Sequence, residues 1–168
     1  EGARQKIAAF IHAASPRQVV FTRNATESIN LVAYSWGRKN LRAGDTLVLT
    51  EMEHHSNLVP WQMLAHELDL RLEFIPVADD GLLDMHVYEH LLELKPKLVA
   101  FTHMSNVLGT ITPAQEIIRL AHLAGALTLV DGAQSVPHFA VNVQELDVDL
   151  LAFSGHKMCG PTGIGVLY

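Results

Sequence analysis

The chain has 168 residues, 49% hydrophobic and 18% charged, which suits one globular domain with a sizeable core and excludes a disordered chain. A net charge of −6 without any Lys/Arg-rich run argues against a nucleic-acid partner, and no apolar stretch is long enough to cross a bilayer. The single cysteine, Cys159, leaves no internal disulfide framework and no cysteine-based zinc site, a usage expected of a cytoplasmic protein.

Residues 1–10 alternate in charge and lack the apolar region of a signal peptide. The pattern predicts a first helix over 3–14, with Ile7, Phe10 and Ile11 on one face. A strand follows at 18–22, then a helix over 27–38 with Ile29, Leu31, Val32 and Tyr34 inward. Further strands are predicted at 46–50, 71–76, 97–103, 126–130, 149–153 and 163–168. Between them lie amphipathic helices over 58–68, 83–94 and 113–124, the last opened by Pro113 and closed by Gly125. Most of the strands lack period-2 alternation, as strands buried on both faces do. Strands alternating with helices imply parallel βαβ units, so the fold class expected is α/β, a single three-layer α/β/α domain with a mostly parallel sheet. The chain opens at Glu1 without a methionine and stops at Tyr168 directly after an apolar run. Both ends are therefore expected to be cut, and residues 1–168 to be part of a longer protein.

In such sheets ligands gather at the carboxyl edge of the strands. The residues just past the predicted strands are Arg23-Asn24-Ala25-Thr26, Glu51-Met52-Glu53-His54-His55, Met104-Ser105-Asn106, Asp131-Gly132-Ala133-Gln134 and Ser154-Gly155-His156-Lys157. Polar, chemically capable side chains recur at every one. A structural protein has no reason to line one edge of its sheet in this way.

Lys157 follows the apolar run Leu150-Leu151-Ala152-Phe153. A lysine desolvated there loses basicity and serves as a nucleophile or Schiff-base partner; the plain alternative is a surface lysine at a strand end. Ser154 and His156 beside it add groups that bind phosphate. Asp131 ends a very apolar strand, where a carboxylate wants a cationic partner such as a protonated pyridine nitrogen. It reads equally as a helix N-cap or turn aspartate. Gln134 follows three residues later and could bond a ring substituent. Asn24 with Glu27 resembles a capping box at a helix start. The free amides there, with the Thr26 hydroxyl, suit either a phosphate or an ordinary cap.

Glu51, Glu53, His54 and His55 could ligate a metal. Adjacent histidines project in different directions, however, and the pattern is not a His-Glu-x-x-His helix. One imidazole could instead stack on an aromatic ring. The glycines of 160–165 precede a strand rather than follow one, which rejects a dinucleotide loop and leaves a tight turn behind Lys157.

Taken together, the stretches 21–32, 52–62, 102–110, 130–134 and 153–157 resemble the SUF-type cysteine desulfurases, in the class V aminotransferase-like group of fold-type-I pyridoxal-phosphate enzymes. The resemblance runs through the whole chain. It implies that residues 1–168 are part of the cofactor-binding large domain, without the C-terminal small domain. It implies pyridoxal 5′-phosphate bound to Lys157, with Asp131 on the pyridine nitrogen and His54 stacked on the ring and moving protons. Gln134 and Asn106 would contact the ring hydroxyl and substrate region. Thr26, Ser154 and His156 would hold the phosphate with the Ala25–Thr26 backbone. Ala25 stands where the family often has threonine. Cys159 stands where it often has an aromatic residue, and is not the sulfur-accepting cysteine.

The activity implied is removal of sulfur from L-cysteine, leaving alanine and passing a persulfide to an acceptor protein of iron–sulfur cluster assembly. The enzyme would be a cytoplasmic homodimer without a nucleic-acid or membrane partner or a bound metal. The same residues would serve L-selenocysteine. Residues 1–168 alone are expected to be inactive. Rival readings are selenocysteine lyase, kynureninase-like or epimerase chemistry on the same cofactor. More distant are a metal-dependent hydrolase built on Glu51, Glu53, His54 and His55, and an inactive binding module.

Overall fold

Strands and helices alternate along the computed structural model, which describes residues 2–168. The strands are β1 (Val20–Thr22), β2 (Thr46–Thr50), β3 (Arg71–Ile75), β4 (Leu98–Thr102), β5 (Leu127–Asp131), β6 (Leu150–Ser154) and β7 (Gly165–Leu167). They form one seven-stranded sheet in the order β1-β7-β6-β5-β4-β2-β3. The helices are α1 (Gly2–Phe10), α2 (Ala25–Val32), α3 (Arg38–Asn40), α4 (Val59–Leu68), α5 (Met85–Leu92), α6 (Ala114–Leu123), α7 (Ser135–His138) and α8 (Val143–Leu146).

Helices cover both faces of the sheet, which gives three layers. Successive strand residues point to opposite sides. Val48, Val99, Phe101, Val130, Leu151 and Phe153 meet Ala8, Tyr88, Ile117 and Val143 of α1, α5, α6 and α8. Leu47, Leu49, Leu98, Ala100, Leu129 and Ala152 meet Ile29, Val32, Trp61 and Leu64 of α2 and α4. Both sets of side chains are buried, so the strands read as continuous apolar runs although they alternate in space.

The expectation of parallel βαβ units needs a correction at one strand. β7 runs antiparallel to both neighbours, β1 and β6. Residues 155–164 link β6 to β7 with a tight turn and a glycine loop rather than a crossover helix. So short a link cannot return the chain in parallel. β5 and β6 also end later than predicted, because Asp131 pairs with Ala152 and Ser154 with Gly165 in the ladder. β1 starts later, because Pro16–Gln18 form a 3-10 turn capped by Ser15.

Two predicted faces turn out differently. Phe10, Leu31 and Tyr34 are exposed. α2 buries Ala25, Ser28, Ile29 and Val32, a stripe at helical spacing that leaves Leu31 on the flank. Beyond it Ala33–Gly37 form a widened π turn, which shifts the phase so that Ala33 and Gly37 face inward and Tyr34 outward. Tyr34 instead lies under the Arg38 guanidinium, 4.5 Å from its ring centre. Gly125 ends α6 with φ +82°, the left-handed conformation for which glycine is suited.

Candidate active site

Thr50, Thr102, Asp131 and Ser154 are the last residues of β2, β4, β5 and β6. They bring the predicted site residues to one edge of the sheet. A cavity of about 240 Å³ opens there, lined by Asn24, Ala25, Thr26, His54, Ser56, Asp131, Ala133, Ser154, His156 and Lys157. Seven of the residues expected to bind the cofactor therefore share one cavity: Ala25, Thr26, His54, Asp131, Ser154, His156 and Lys157. Gln134 and Asn106 do not line it. Gln134 is half-buried at the start of α7, and Asn106 is exposed in a turn whose Ser105 hydroxyl accepts from the Val107 and Leu108 amides.

One side of the cavity is the start of α2. Asn24 Oδ1 accepts from the Glu27 amide at 2.8 Å, as a helix N-cap does. The reciprocal half of the capping box is displaced by one residue, because Glu27 Oε2 accepts from the Arg23 amide at 2.5 Å. The Ala25 amide donates to Ser154 Oγ at 2.8 Å, which ties α2 to the end of β6. Ala25 thus has its amide committed within the chain. The Ser154 hydroxyl proton remains free to turn into the cavity, and the Thr26 amide has no partner among the described residues.

Lys157 and His156 sit on the 3-10 turn Gly155–Met158. Both are exposed, so Lys157 is not desolvated as the sequence suggested. The turn lifts it out of the core as soon as β6 ends. Its electrostatic neighbour is Asp131, which is only 4% exposed. Burial pushes the Asp131 carboxyl above the usual range; the Ala133 amide, donating to Oδ1 at 2.9 Å, and the nearby Lys157 and His54 oppose that shift.

The turn carrying Lys157 is braced from behind. The Gly160 amide donates to the Gly155 carbonyl at 2.9 Å, and the Gly155 amide to the Ile164 carbonyl at 2.8 Å. A Cβ on Gly160 would lie 2.8 Å from the Gly155 oxygen. The glycine loop thus forms the tight turn expected of it.

His54 is held by Ser56, whose amide donates to His54 Nδ1 at 3.1 Å and whose hydroxyl lies 2.8 Å from the same nitrogen. An amide donating to Nδ1 places the ring proton on Nε2, leaving Nε2 as the nitrogen that can exchange a proton. Ser56 Oγ also lies 2.8 Å from Thr26 Oγ1, linking the histidine loop to α2. Sequence reasoning misses the Ser56 bridge. Its one signal is a serine two residues beyond the histidine, at the head of a short turn.

Glu53 is the other residue whose part the sequence hides, since beside two histidines it reads only as a metal ligand. Its carboxylate turns inward, accepting from Thr50 Oγ1 at 2.5 Å, the Thr102 amide at 2.8 Å and Asn57 Nδ2 at 2.7 Å. Asn57 in turn accepts from the buried Trp61 Nε1 at 3.0 Å. The β2–β4 ladder pairs only Leu47 with Leu98 and Val48 with Val99, so Glu53 bridges the strand ends where direct pairing stops. Burial pushes its carboxyl up to about 8, against the pull of the Thr50, Asn57 and Thr102 donors, and Asp131 adds to the rise.

The rest of the 51–55 stretch disperses. Glu51 accepts from the Val77 amide, and the His54 and His55 rings stand 6.1 Å apart at 72°. No three metal-ligating side chains converge among the described residues.

The donor set suits one kind of molecule. A helix start, hydroxyls, His156 and Lys157 favour an anionic group. Buried Asp131 favours a cationic or protonated ring atom. Such an arrangement at the carboxyl edge of a mostly parallel sheet points to α/β enzymes of fold type I, which work through pyridoxal phosphate held on a lysine. Within that class the chain belongs to the class-V aminotransferase family, whose sequence pattern matches residues 1–168. It is 59% identical over 168 residues to a cysteine desulfurase of Dickeya dadantii (strain 3937), covering 100% of this chain and 41% of that protein. It superposes on the cysteine desulfurase CsdA of Escherichia coli with a TM-score of 0.96 at 42% identity, covering 99% of this chain and 42% of that one. It also superposes on SspA in complex with cysteine, with a TM-score of 0.91 at 31% identity, covering 99% and 47% of the two chains. The chain spans about 40% of the length of the curated relatives it matches.

Proposed function

We propose that the protein containing this chain is a pyridoxal-phosphate-dependent cysteine desulfurase, which converts L-cysteine to L-alanine and transfers the sulfur to a cysteine thiol as a persulfide. The observation that carries this reading is the sharing of one cavity by Lys157, Asp131 and the start of α2. The relatives named as cysteine desulfurases and the neighbour holding cysteine support the choice of substrate.

When bound, the cofactor lends its ring as a sink for negative charge developing at the substrate α-carbon. The chain's residues divide the remaining work. The Lys157 amine holds the cofactor, gives way to the substrate amine and exchanges a proton at Nζ. Asp131 keeps the ring nitrogen protonated, its buried carboxyl at the end of β5 being the group placed to pair with it. His54, with Nδ1 fixed by Ser56, covers the ring and moves a proton through Nε2. Thr26, with its amide and hydroxyl, Ser154 and His156 hold the phosphate. Gln134 and Asn106 lie outside the cavity, and their roles at the ring hydroxyl and substrate side rest on the family resemblance alone.

One C–S and one S–H bond break while one S–S and one C–H bond form: the sulfurs are oxidised to the persulfide level on the acceptor, and the β-carbon takes a proton and is reduced to the methyl group of alanine, which leaves. Cys159 is a poor acceptor. It is held at φ +62° at the end of the Lys157 turn, next to Gly160, where the turn is braced from behind by backbone bonds. The thiol belongs elsewhere in the full-length protein. In this reading the enzyme is a cytoplasmic homodimer that hands sulfur to an iron–sulfur assembly protein.

The test is full-length protein with L-cysteine and a reductant. Equal amounts of alanine and sulfide are expected, and no product from L-kynurenine. Alanine from L-kynurenine, or no turnover of L-cysteine, would overturn the proposal.

A further inference from the structure

Gly165 opens β7 and sits between two strands of the site, paired with Thr22 of β1 and Ser154 of β6. Its φ is not in the left-handed region, so the backbone conformation alone does not call for glycine. Space does. A Cβ built on Gly165 would lie 2.4 Å from Asn24 Cα, 2.5 Å from Asn24 C and 2.6 Å from Asn24 N. All three atoms are backbone, so no side-chain rotation relieves the contact. Asn24 is the N-cap of α2, and the next residue, Ala25, donates its amide to Ser154 Oγ. The start of α2 therefore lies directly across Gly165, within hydrogen-bonding reach of the end of β6.

We infer that Gly165 is a positioning residue for the anion seat: its missing side chain lets α2 settle onto β7, bringing the Thr26 amide and hydroxyl beside Ser154, His156 and Lys157. Carbon atoms pack at about 3.5–4 Å, so a methyl group at 165 forces the start of α2 back by about 1 Å. That displacement stretches the Ala25–Ser154 bond and withdraws the free amide of Thr26. Lys157 and Asp131 belong to β6, its following turn and β5, and keep their places. The loss should fall on the anionic group of the ligand and spare the ring. This rests on the reading that α2 and its neighbours hold the phosphate of pyridoxal phosphate.

The test is equilibrium binding of pyridoxal phosphate and of pyridoxal, which lacks the phosphate, to full-length apoprotein as wild type, Gly165→Ala and Ser154→Ala. The wild type should prefer the phosphorylated compound. Gly165→Ala should reduce that preference by about 100-fold, the scale of an ångström-sized misplacement in a preorganised site, with pyridoxal affinity unchanged. Ser154→Ala should reduce it as well. A folded Gly165→Ala protein that keeps the wild-type preference, or loses affinity for both compounds equally, would overturn the inference. So would failure of that variant to fold, because the displacement is confined to the start of α2. If Ser154→Ala loses the preference and Gly165→Ala does not, the inference falls and the phosphate reading stands. If the wild type shows no preference, the phosphate reading itself falls.

Discussion

Replacing Glu53 by glutamine keeps the shape of the side chain and removes its titration. In the folded protein burial pushes this carboxyl from 4.5 to about 8, a difference equivalent to about 5 kcal/mol. The folded pKa lies above the unfolded one, so the contribution of Glu53 is fully present below about pH 4.5 and is lost as pH rises through about 8. When the carboxyl is neutral the Thr50 bond reverses, so that the acid donates to Thr50 Oγ1 while still accepting from the Thr102 amide and Asn57 Nδ2. Glutamine cannot do this. Its amide nitrogen must face either the Thr102 N–H or the Asn57 amide, and Asn57 is fixed because its oxygen holds Trp61 Nε1. One buried donor is left unpaired, at a cost of about 1–3 kcal/mol. Wild type should therefore be the more stable protein in acid and the less stable one above about pH 8. The assay is the thermal midpoint of full-length wild type and Glu53→Gln across about pH 5 to 9, the span over which the carboxyl titrates. A difference between the two that stays constant over that range would show that Glu53 is ionised throughout, and would refute the reasoning.

His103 gives the mirror case. It is buried, its Nδ1 has no hydrogen-bond partner and burial lowers its pKa from 6.5 to about 4. The unfolded chain gains the proton first, so acidification from about pH 6.5 to 4 should cost wild type about 3 kcal/mol relative to His103→Phe in urea titrations; an equal loss in both proteins would count against it. Asp131→Asn should retain the cofactor by absorbance yet slow alanine formation by about 3–5 kcal/mol in barrier, and near-normal turnover would remove Asp131 from the chemistry. Cys159→Ser should leave sulfide release from L-cysteine largely intact, whereas its abolition would make this exposed thiol the acceptor.

The sheet is legible in the sequence because its inner strands are buried on both faces and bounded by turn residues, and because Asp131 ends, and Lys157 closely follows, two of its most apolar runs. The direction of β7 is not legible in the residues of the strand itself. It depends on the absence of a crossover helix in residues 155–164, a matter of connection length rather than of the strand's own residues. Tyr34 is misplaced by periodicity because a π turn changes the period in the middle of the helix, and one fixed period cannot follow it, whereas Leu31 lies before that turn on the flank of the buried α2 stripe. Glu53 is visible only as a carboxylate beside histidines. Its inward turn follows from where β2 and β4 stop pairing, a tertiary fact. Gly165 reads as one more loop glycine until the helix start across it is located.

Borohydride reduction of the full-length holoprotein followed by peptide mapping tests the central assignment most directly. Reduction fixes the cofactor to the amine that carries it. The mass of the cofactor should appear on the peptide containing Lys157 and be absent from a Lys157→Ala protein. Its appearance on another lysine, such as Lys95 or Lys97, would contradict the assignment of Lys157 as the residue that carries the cofactor.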